Sequence, residues 1–168
     1  MVSLVDFFGW LGNTPWSIAL HESRYAFLVV LAVHVLTLTV FVGTVVMIDL
    51  RLLGVMLTRV PVSEVVSRLL PWSAAGLGVM IASGVLLFYA APLVRYENVF
   101  FRLKMAALAA AVANAWVFHR TSYRRLAEWD LDPVPPRGAR RSAAVSLVLW
   151  AGIITLGRMM AYADYWFN

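Results

Sequence analysis

The chain contains no cysteine and little charge. Without cysteine there are no disulfides, thiolate metal sites or iron–sulfur clusters. Charged residues account for 14% of its 168 residues and hydrophobic residues for 62%, and the mean hydropathy is +0.79. Because a soluble domain carries roughly 25% charged and about 45–50% apolar residues, this composition indicates a protein that faces lipid.

Four apolar stretches are long enough to cross a bilayer, which takes about 20 residues of helix. They lie at about residues 25–48, 70–94, 99–121 and 142–163. Ahead of them, Leu4, Phe7 and Trp10 favour a short helix at the membrane interface, and Thr14-Pro15 resembles a helix start. The sequence therefore predicts an all-α protein: a four-transmembrane-helix bundle in which residues 1–168 form a single integral membrane domain.

Basic residues are concentrated in the two longer loops. The loops after the first and third spans hold nine of the 14 basic residues, namely Arg51, Arg59, Arg68, Arg120, Arg124, Arg125, Arg137, Arg140 and Arg141. The positive-inside rule then predicts a protein of the cytoplasmic (inner) membrane, with these loops in the cytoplasm and both termini outside. The net charge of +5 suits anionic lipid headgroups rather than nucleic acid.

His34 is the most informative residue in the sequence. It lies in a stretch from Tyr25 to Ile48 that has no other ionisable side chain except the tyrosine. Thr37, Phe41 and Thr44 share its helical face, which we expect to look into the bundle. An intramembrane histidine is a candidate functional group; the alternative is a neutral ring that bonds a hydroxyl or carbonyl of a neighbouring helix.

Two cations are predicted near the outer surface. Lys104 and Arg158 each lie five residues inside a span end, about 7.5 Å deep at the rise of an α-helix. Buried cations need an anion, and snorkelling to the surface is the alternative. The candidate anions are Glu97, Asp164, the C-terminal carboxylate of Asn168, a lipid phosphate and a cofactor carboxylate.

These groups together predict a b-type haem. His34, about 15 Å deep, would ligate the iron, and Lys104 and Arg158 would meet its propionates. His119 is the candidate for a second metal ligand, although it lies about 30 Å from the outer end of its span, and His21 lies above the membrane. Five-coordinate iron, a methionine ligand and the absence of haem stay open.

The leading functional hypothesis is a membrane electron-transfer or redox subunit that exchanges electrons with quinone or a partner protein. No independent catalytic activity is expected, because neither a nucleophile with its base nor a zinc motif is present. One alternative is a cofactor-free anchor or scaffold, homo- or hetero-oligomeric, that docks a partner protein or lipid. Another is a small proton-coupled transporter gated by His34, which ranks lowest because no inverted repeat is visible.

Other residues are assigned to packing and to the membrane interface. Small residues at Ala107, Ala111 and Ala115, and at Gly78 and Ala82, should let helices approach closely, and Asn114 should bond a neighbouring helix. Asp49 and Arg51 are expected to stop the first span with local ion pairing. An interfacial aromatic belt is predicted from Trp16, Trp72, Trp129, Tyr162, Tyr165 and Trp166.

Three segments carry a family resemblance that covers nearly the whole chain. They are HVLTLTVFVGTVVMIDLRLLG (His34 to Gly54), RLLPWSAAGLGVMIASG (Arg68 to Gly84) and FFRLKMAALAAAVANAWVFHR (Phe100 to Arg120). In these the chain resembles an uncharacterised family of small bacterial four-helix membrane proteins, grouped as a domain of unknown function. It is loosely similar to cytochrome b-type bundles and copper-resistance membrane proteins, which implies a haem or metal role. Four histidines paired at matching depths are missing, so a two-haem wire is not expected.

Overall fold

The computed structural model describes residues 3–163, and within that range it contains helices and no strand. The helices are α1 (Leu4–Gly12), α2 (Pro15–Glu22), α3 (Arg24–Leu53), α4 (Val62–Ala90), α5 (Pro92–Glu97), α6 (Val99–Thr121), α7 (Leu126–Trp129) and α8 (Arg137–Met159), with single 3-10 turns at Tyr123–Arg125 and Met160–Tyr162. Four of them, α3, α4, α6 and α8, are long and apolar enough to cross a membrane. The predicted all-α bundle with four spans is therefore confirmed.

The second long helix is longer at its start than the predicted span. Instead of beginning near residue 70, as the predicted span does, α4 runs without a break from Val62 to Ala90 with Pro71 inside it. Proline removes one backbone hydrogen bond from a helix. The helix nevertheless continues, because residues on both sides of Pro71 are buried, Val65 before it and Ser73 after it.

The four long helices are joined through α3, which packs against α4 over most of its length and also contacts α8, while α6 packs against α8. In the middle of α3, Phe41 is buried and meets the ring of Trp150 edge to face at 4.9 Å. Three residues later, Thr44 bonds the Ser73 hydroxyl of α4 at 2.6 Å. The face of α3 that holds Phe41 and Thr44 therefore looks into the bundle, as its periodicity predicts.

Close approach between α3 and α4 depends on Gly76. A Cβ atom at this position would lie 3.2 Å from Cβ of Phe41, whereas a Cβ at Gly78 would meet nothing within 4 Å. The prediction that Gly78 and Ala82 make this contact is wrong, because both lie on an exposed face of α4. In α6, close approach was predicted at small residues that include Ala111, and Ala111 is indeed buried.

Asn114 bonds a neighbouring helix, as predicted. Its side-chain amide donates to the carbonyl of Ser142 in α8 at 3.0 Å, and the Ser142 hydroxyl donates back to the Asn114 side-chain oxygen at 3.1 Å. A buried amide needs such partners because lipid offers none. This pair links α6 to α8 about five residues into α8.

The end of the bundle that carries the α3–α4 and α6–α8 connections, here called the basic end, has its own apolar core. Leu52, Val62, Trp129, Ala139 and Ala143 form a buried cluster there. Trp129 is 6% exposed, so its assignment to the interfacial belt is wrong. The aromatic ring instead fills the space enclosed by the ends of α3, α4 and α8.

Arg51 holds the connections of the basic end together. Its guanidinium donates to the carbonyls of Val60 at 2.8 Å, Asp132 at 3.1 Å and Asp130 at 3.5 Å, and the residue is only 1% exposed. The expected ion pair with Asp49 does not form, because the arginine turns into the connecting chain rather than along its own helix. A residue predicted to stop a membrane span is thus a buried hub.

Asp130 caps the start of α4 from a distant part of the chain. Its carboxylate accepts hydrogen bonds from the backbone N–H of Ser63 at 2.7 Å and from the Ser63 hydroxyl at 2.6 Å, and its carbonyl accepts from the N–H of Val62. The first turn of a helix leaves such N–H groups without a partner, so an acidic group there is favourable.

At the opposite end, called the terminal end, α1 and α2 lie against the bundle. The predicted helix start at Thr14-Pro15 is confirmed, but the Thr14 hydroxyl bonds Tyr89 at 2.6 Å instead of capping α2. Ser17, fully buried, donates to the Tyr89 carbonyl at 2.7 Å. Ser3 and Asp6 cap α1 reciprocally, and the hydrogen bonds from Ser3 lower the pKa of the Asp6 carboxyl.

Candidate functional site

His34 lies on the inward face of α3, ten residues after Arg24 and thus about 15 Å from that end of the helix. Its ring is partly buried, and its Nδ1 lies 2.8 Å from the Ser83 hydroxyl of α4. Ser83 is itself 5% exposed. The predicted orientation of His34 toward a neighbouring helix is therefore observed.

The hydrogen bonds of Ser83 determine which ring nitrogen of His34 carries a proton. The Ser83 oxygen lies 2.7 Å from the Val79 carbonyl and 2.8 Å from Nδ1. Each of these close contacts needs a hydrogen atom between its two heavy atoms. The hydroxyl supplies only one, and it goes to the carbonyl because a carbonyl has none to give. Nδ1 therefore carries the other proton, and in the neutral ring Nε2 keeps a free lone pair.

Two glycine residues lie against the side chains of His34 and Lys104. A Cβ atom at Gly84 of α4 would lie 3.4 Å from Cε1 of His34, so the ring rests directly on the α4 backbone. Across the bundle, Gly157 of α8 faces the side chain of Lys104, whose Nζ would be 3.7 Å from a Cβ there. Lys104 is close enough to His34 to act on it electrostatically. The histidine and the lysine thus belong to one site at the terminal end.

A second cation, Arg95 of α5, completes this site and was not singled out from the sequence. Its Nε donates to the Leu87 carbonyl at 3.3 Å, its charge acts on Lys104, and burial lowers the pKa of its guanidinium. Neither cation forms a salt bridge with a carboxylate in residues 3–163. The position of Arg95 beside this site could not be predicted from the sequence, because the residue follows a proline in a short helix outside every predicted span.

Arg158, which was predicted to share this level as a buried cation, is exposed. Its guanidinium bonds the Tyr162 hydroxyl at 2.7 Å and lies over the Tyr162 ring. The expected burial of Arg158 is wrong, because the side chain turns along its own helix toward the surface. Of the candidate anions, Glu97 is exposed, whereas Asp164 and Asn168 lie outside the described residues.

The other histidines are distant from His34. His119 stacks on Tyr123 at 5.0 Å near the basic end, is exposed, and lies about 30 Å from the start of α6. His21 is exposed at the end of α2. Among residues 3–163, no three His, Asp or Glu side chains come close enough to hold a metal ion together. The structure does not bring His34 and His119 to one site, so a shared ligand role for both stays a prediction without support.

Comparison with known proteins gives a family but no activity. The model of a family of unknown function, DUF6644, matches residues 4–163. No curated protein and no solved structure shows significant similarity to the chain. The expectation of an uncharacterised family that covers nearly the whole chain is confirmed.

Proposed function

The chain belongs to that family of unknown function, and from its site we propose a membrane redox subunit that binds b-type haem through Nε2 of His34. The observation that carries the proposal is the hydrogen bond from Nδ1 to Ser83, which leaves the lone pair of Nε2 free. Histidine ligands of metals commonly donate their second ring N–H to a neighbouring group, which fixes the tautomer and the ring orientation.

The surrounding residues fit a haem with one protein ligand. Gly84 allows the ring to lie directly against the α4 backbone. Lys104 and Arg95, partly buried cations without a carboxylate partner in the described chain, suit the propionates. Arg158 at the surface is a less favourable propionate partner than Arg95. When bound, haem supplies a one-electron couple, and the protein tunes it through the axial ligand and the burial of the site.

The surroundings of the subunit follow from its charge. We propose that it resides in the cytoplasmic membrane with the basic end in the cytoplasm, because exposed arginines crowd that end. They include Arg120, Arg124, Arg125, Arg137, Arg140 and Arg141. Electrons would be exchanged with quinone or with a partner protein at the terminal end, where the histidine lies. Anionic lipid headgroups are the natural contacts of the arginines.

Absorption spectroscopy tests the haem. Protein expressed with supplementary haem and purified in mild detergent is expected to show a Soret band at one haem per chain, and His34→Ala is expected to remove it. His21→Ala and His119→Ala are matched controls that should keep the band. We expect Ser83→Ala to retain haem but to shift its reduction potential, because the ligand loses the hydrogen bond that orients it.

Two results would overturn the haem proposal. One is wild-type protein without a Soret band under these conditions; the other is a band that survives in His34→Ala. In the first case the second candidate function, a cofactor-free anchor, becomes the better account. In the second case haem binds through another residue, and the assignment of His34 as its ligand fails.

The anchor function rests on the aromatic surface of the terminal end. Trp10 and Trp16 are 64% and 79% exposed on α1 and α2, and the Tyr89 contacts hold α2 in place. Aromatic residues are common energetic centres of protein interfaces, although in a membrane protein they also mark the headgroup level. A partner that copurifies at one copy per chain, and that is lost in Trp10→Ser/Trp16→Ser, is the expected result. Wild-type protein that purifies alone would exclude a stable partner.

A further inference from the structure

A carboxyl group lies between α3 and α8 without any cation beside it. Asp49 is four residues from the end of α3 and only 5% exposed. The Ser146 hydroxyl of α8 lies next to this carboxyl. The second oxygen, Oδ2, is buried and has no hydrogen-bond partner. A buried acceptor is costly to leave unpaired, so the state of this group needs an explanation.

The charged groups of the neighbouring elements are engaged elsewhere. Arg51, two residues further along α3, bonds carbonyl oxygens of the connecting chain through Nε and Nη2, while its Nη1 is buried without a partner. No salt bridge joins it to Asp49 within the described residues. On α4, Arg68 is exposed and pairs with Glu64 at 2.6 Å. The carboxylate of Asp130 is held by Ser63. Tyr123 is partly buried and stacks on His119. The remaining ionisable side chains described at this end are exposed, namely Arg59, His119, Arg120, Arg124, Arg125, Glu128, Asp132, Arg137, Arg140 and Arg141.

An ionised carboxylate in such a place would be both desolvated and uncompensated, which is far less favourable than the neutral acid. A metal ion does not resolve the problem, because one carboxyl and one hydroxyl fall well short of the six or more oxygen ligands of a calcium site. No group of three acidic or histidine side chains occurs in the described residues. The remaining ligand that neutralises the carboxyl is a proton.

We propose that Asp49 is a proton-binding site within the membrane domain, with its carboxyl group protonated at neutral pH. This inference does not depend on haem, because Asp49 lies 15 residues from His34, about 22 Å along α3. It assigns a function to a residue near the basic end that the proposed redox site does not use.

A hydrophobic carbodiimide, which adds only to protonated carboxyl groups, is the first test. In the full chain in liposomes at neutral pH, mass spectrometry is expected to find the adduct on Asp49 and not on Asp130. The carboxylate of Asp130, already bonded twice by Ser63, is the internal control. Above its midpoint, labelling should fall about tenfold for each pH unit. Sodium added at constant pH should not protect Asp49; protection would identify a cation in the site and overturn the proposal.

Infrared spectroscopy tests the protonation of Asp49 without a chemical reagent, so the result does not depend on whether a carbodiimide can reach the buried carboxyl. The wild-type chain at neutral pH is expected to show the carbonyl stretch of a protonated carboxyl group, and Asp49→Asn should lose it. If the band is missing from the wild type, Asp49 is ionised and the proposal fails. If Asp49→Asn folds poorly, Asp49→Glu serves as a second variant. It keeps a carboxyl group at the site and should therefore keep the band of a protonated carboxyl.

Thermal unfolding in detergent adds a stability readout. A group that holds more protons when folded than when unfolded makes the protein less stable as the pH rises. The melting temperature of the wild type should therefore fall as the pH rises from about 4, where the unfolded carboxyl begins to ionise, to the midpoint of the folded group, and that of Asp49→Asn should fall less over the same range. Equal pH dependence in the two proteins would count against a proton on Asp49.

Discussion

Arg51→Met is expected to destabilise the protein by on the order of 3 kcal/mol or more, because each buried carbonyl left without a donor costs about 1–3 kcal/mol. The guanidinium reaches the carbonyls of Val60, Asp130 and Asp132. The Asp130 carbonyl also accepts from the N–H of Val62, so the carbonyls of Val60 and Asp132 are the ones that lose their donor. Methionine fills much of the same volume, so the loss reflects the hydrogen bonds more than a cavity. Unfolding of the purified protein by SDS titration, followed by circular dichroism, measures the change.

Arg59→Met is the matched control. It removes the same charge from the nearby α3–α4 connection, but Arg59 is exposed. Surface substitutions usually stay within about 0.5 kcal/mol of the wild type. Equal stability of the two variants would mean that the connecting chain rearranges freely and that Arg51 is not its hub.

Gly76→Val is expected to be the second severely damaging change. The new Cβ would lie 3.2 Å from Cβ of Phe41 and 3.5 Å from the Phe41 backbone, where no flexible side-chain end is available to move aside. The two helices must then separate near their midpoint. Overpacking of this kind typically costs about 1–3 kcal/mol, and the loss of helix contact in lipid is not offset by a hydrophobic drive.

Gly78→Val provides the comparison for this change. The same substitution two residues away places its side chain where nothing lies within 4 Å, and so toward lipid. Its unfolding free energy should stay close to that of the wild type under the same SDS titration. A large loss at Gly78 with none at Gly76 would show that α4 is rotated relative to the structure described above.

The spans and the inward face of α3 were predictable because they depend on local patterns. Helix length follows from the length of uncharged sequence, and the shared face of His34, Phe41 and Thr44 follows from helical periodicity. That Asn114 bonds a neighbouring helix was also predictable, since a polar group in lipid must find a partner on another helix. These features need no knowledge of the other helices.

Predictions that required the rotation of one helix against another were less successful. Gly76 and Gly78 are both small and both apolar in context, so only the packed bundle shows which one faces Phe41. Arg158 and Lys104 lie at one depth, but the depth of a residue does not say which side of its helix it occupies. Arg95 was missed for a related reason: its place beside Lys104 depends on how α5 folds back after α4.

The basic end shows a further limit of sequence patterns. A charged residue at the end of an apolar stretch, such as Arg51, has the pattern of a membrane stop whether it is exposed or buried. Its burial depends on the connection between α6 and α8, which returns to cover the end of α3. The same connection places Trp129 inside the cluster around Leu52 and Val62. Contacts between segments so far apart in sequence leave no periodic signal.

The cap that Asp130 places on α4 also imposes an order on biogenesis. The donor groups of Ser63 and the acceptor of Asp130 are 67 residues apart in the chain. When α3 and α4 have been inserted as a hairpin, the first turn of α4 still has free N–H groups, and Arg51 still lacks two of its carbonyls. The hydrogen bonds of the hairpin are therefore complete only after α6 has crossed and the following connection has been synthesised. The second half of the chain thus supplies contacts that the first half needs.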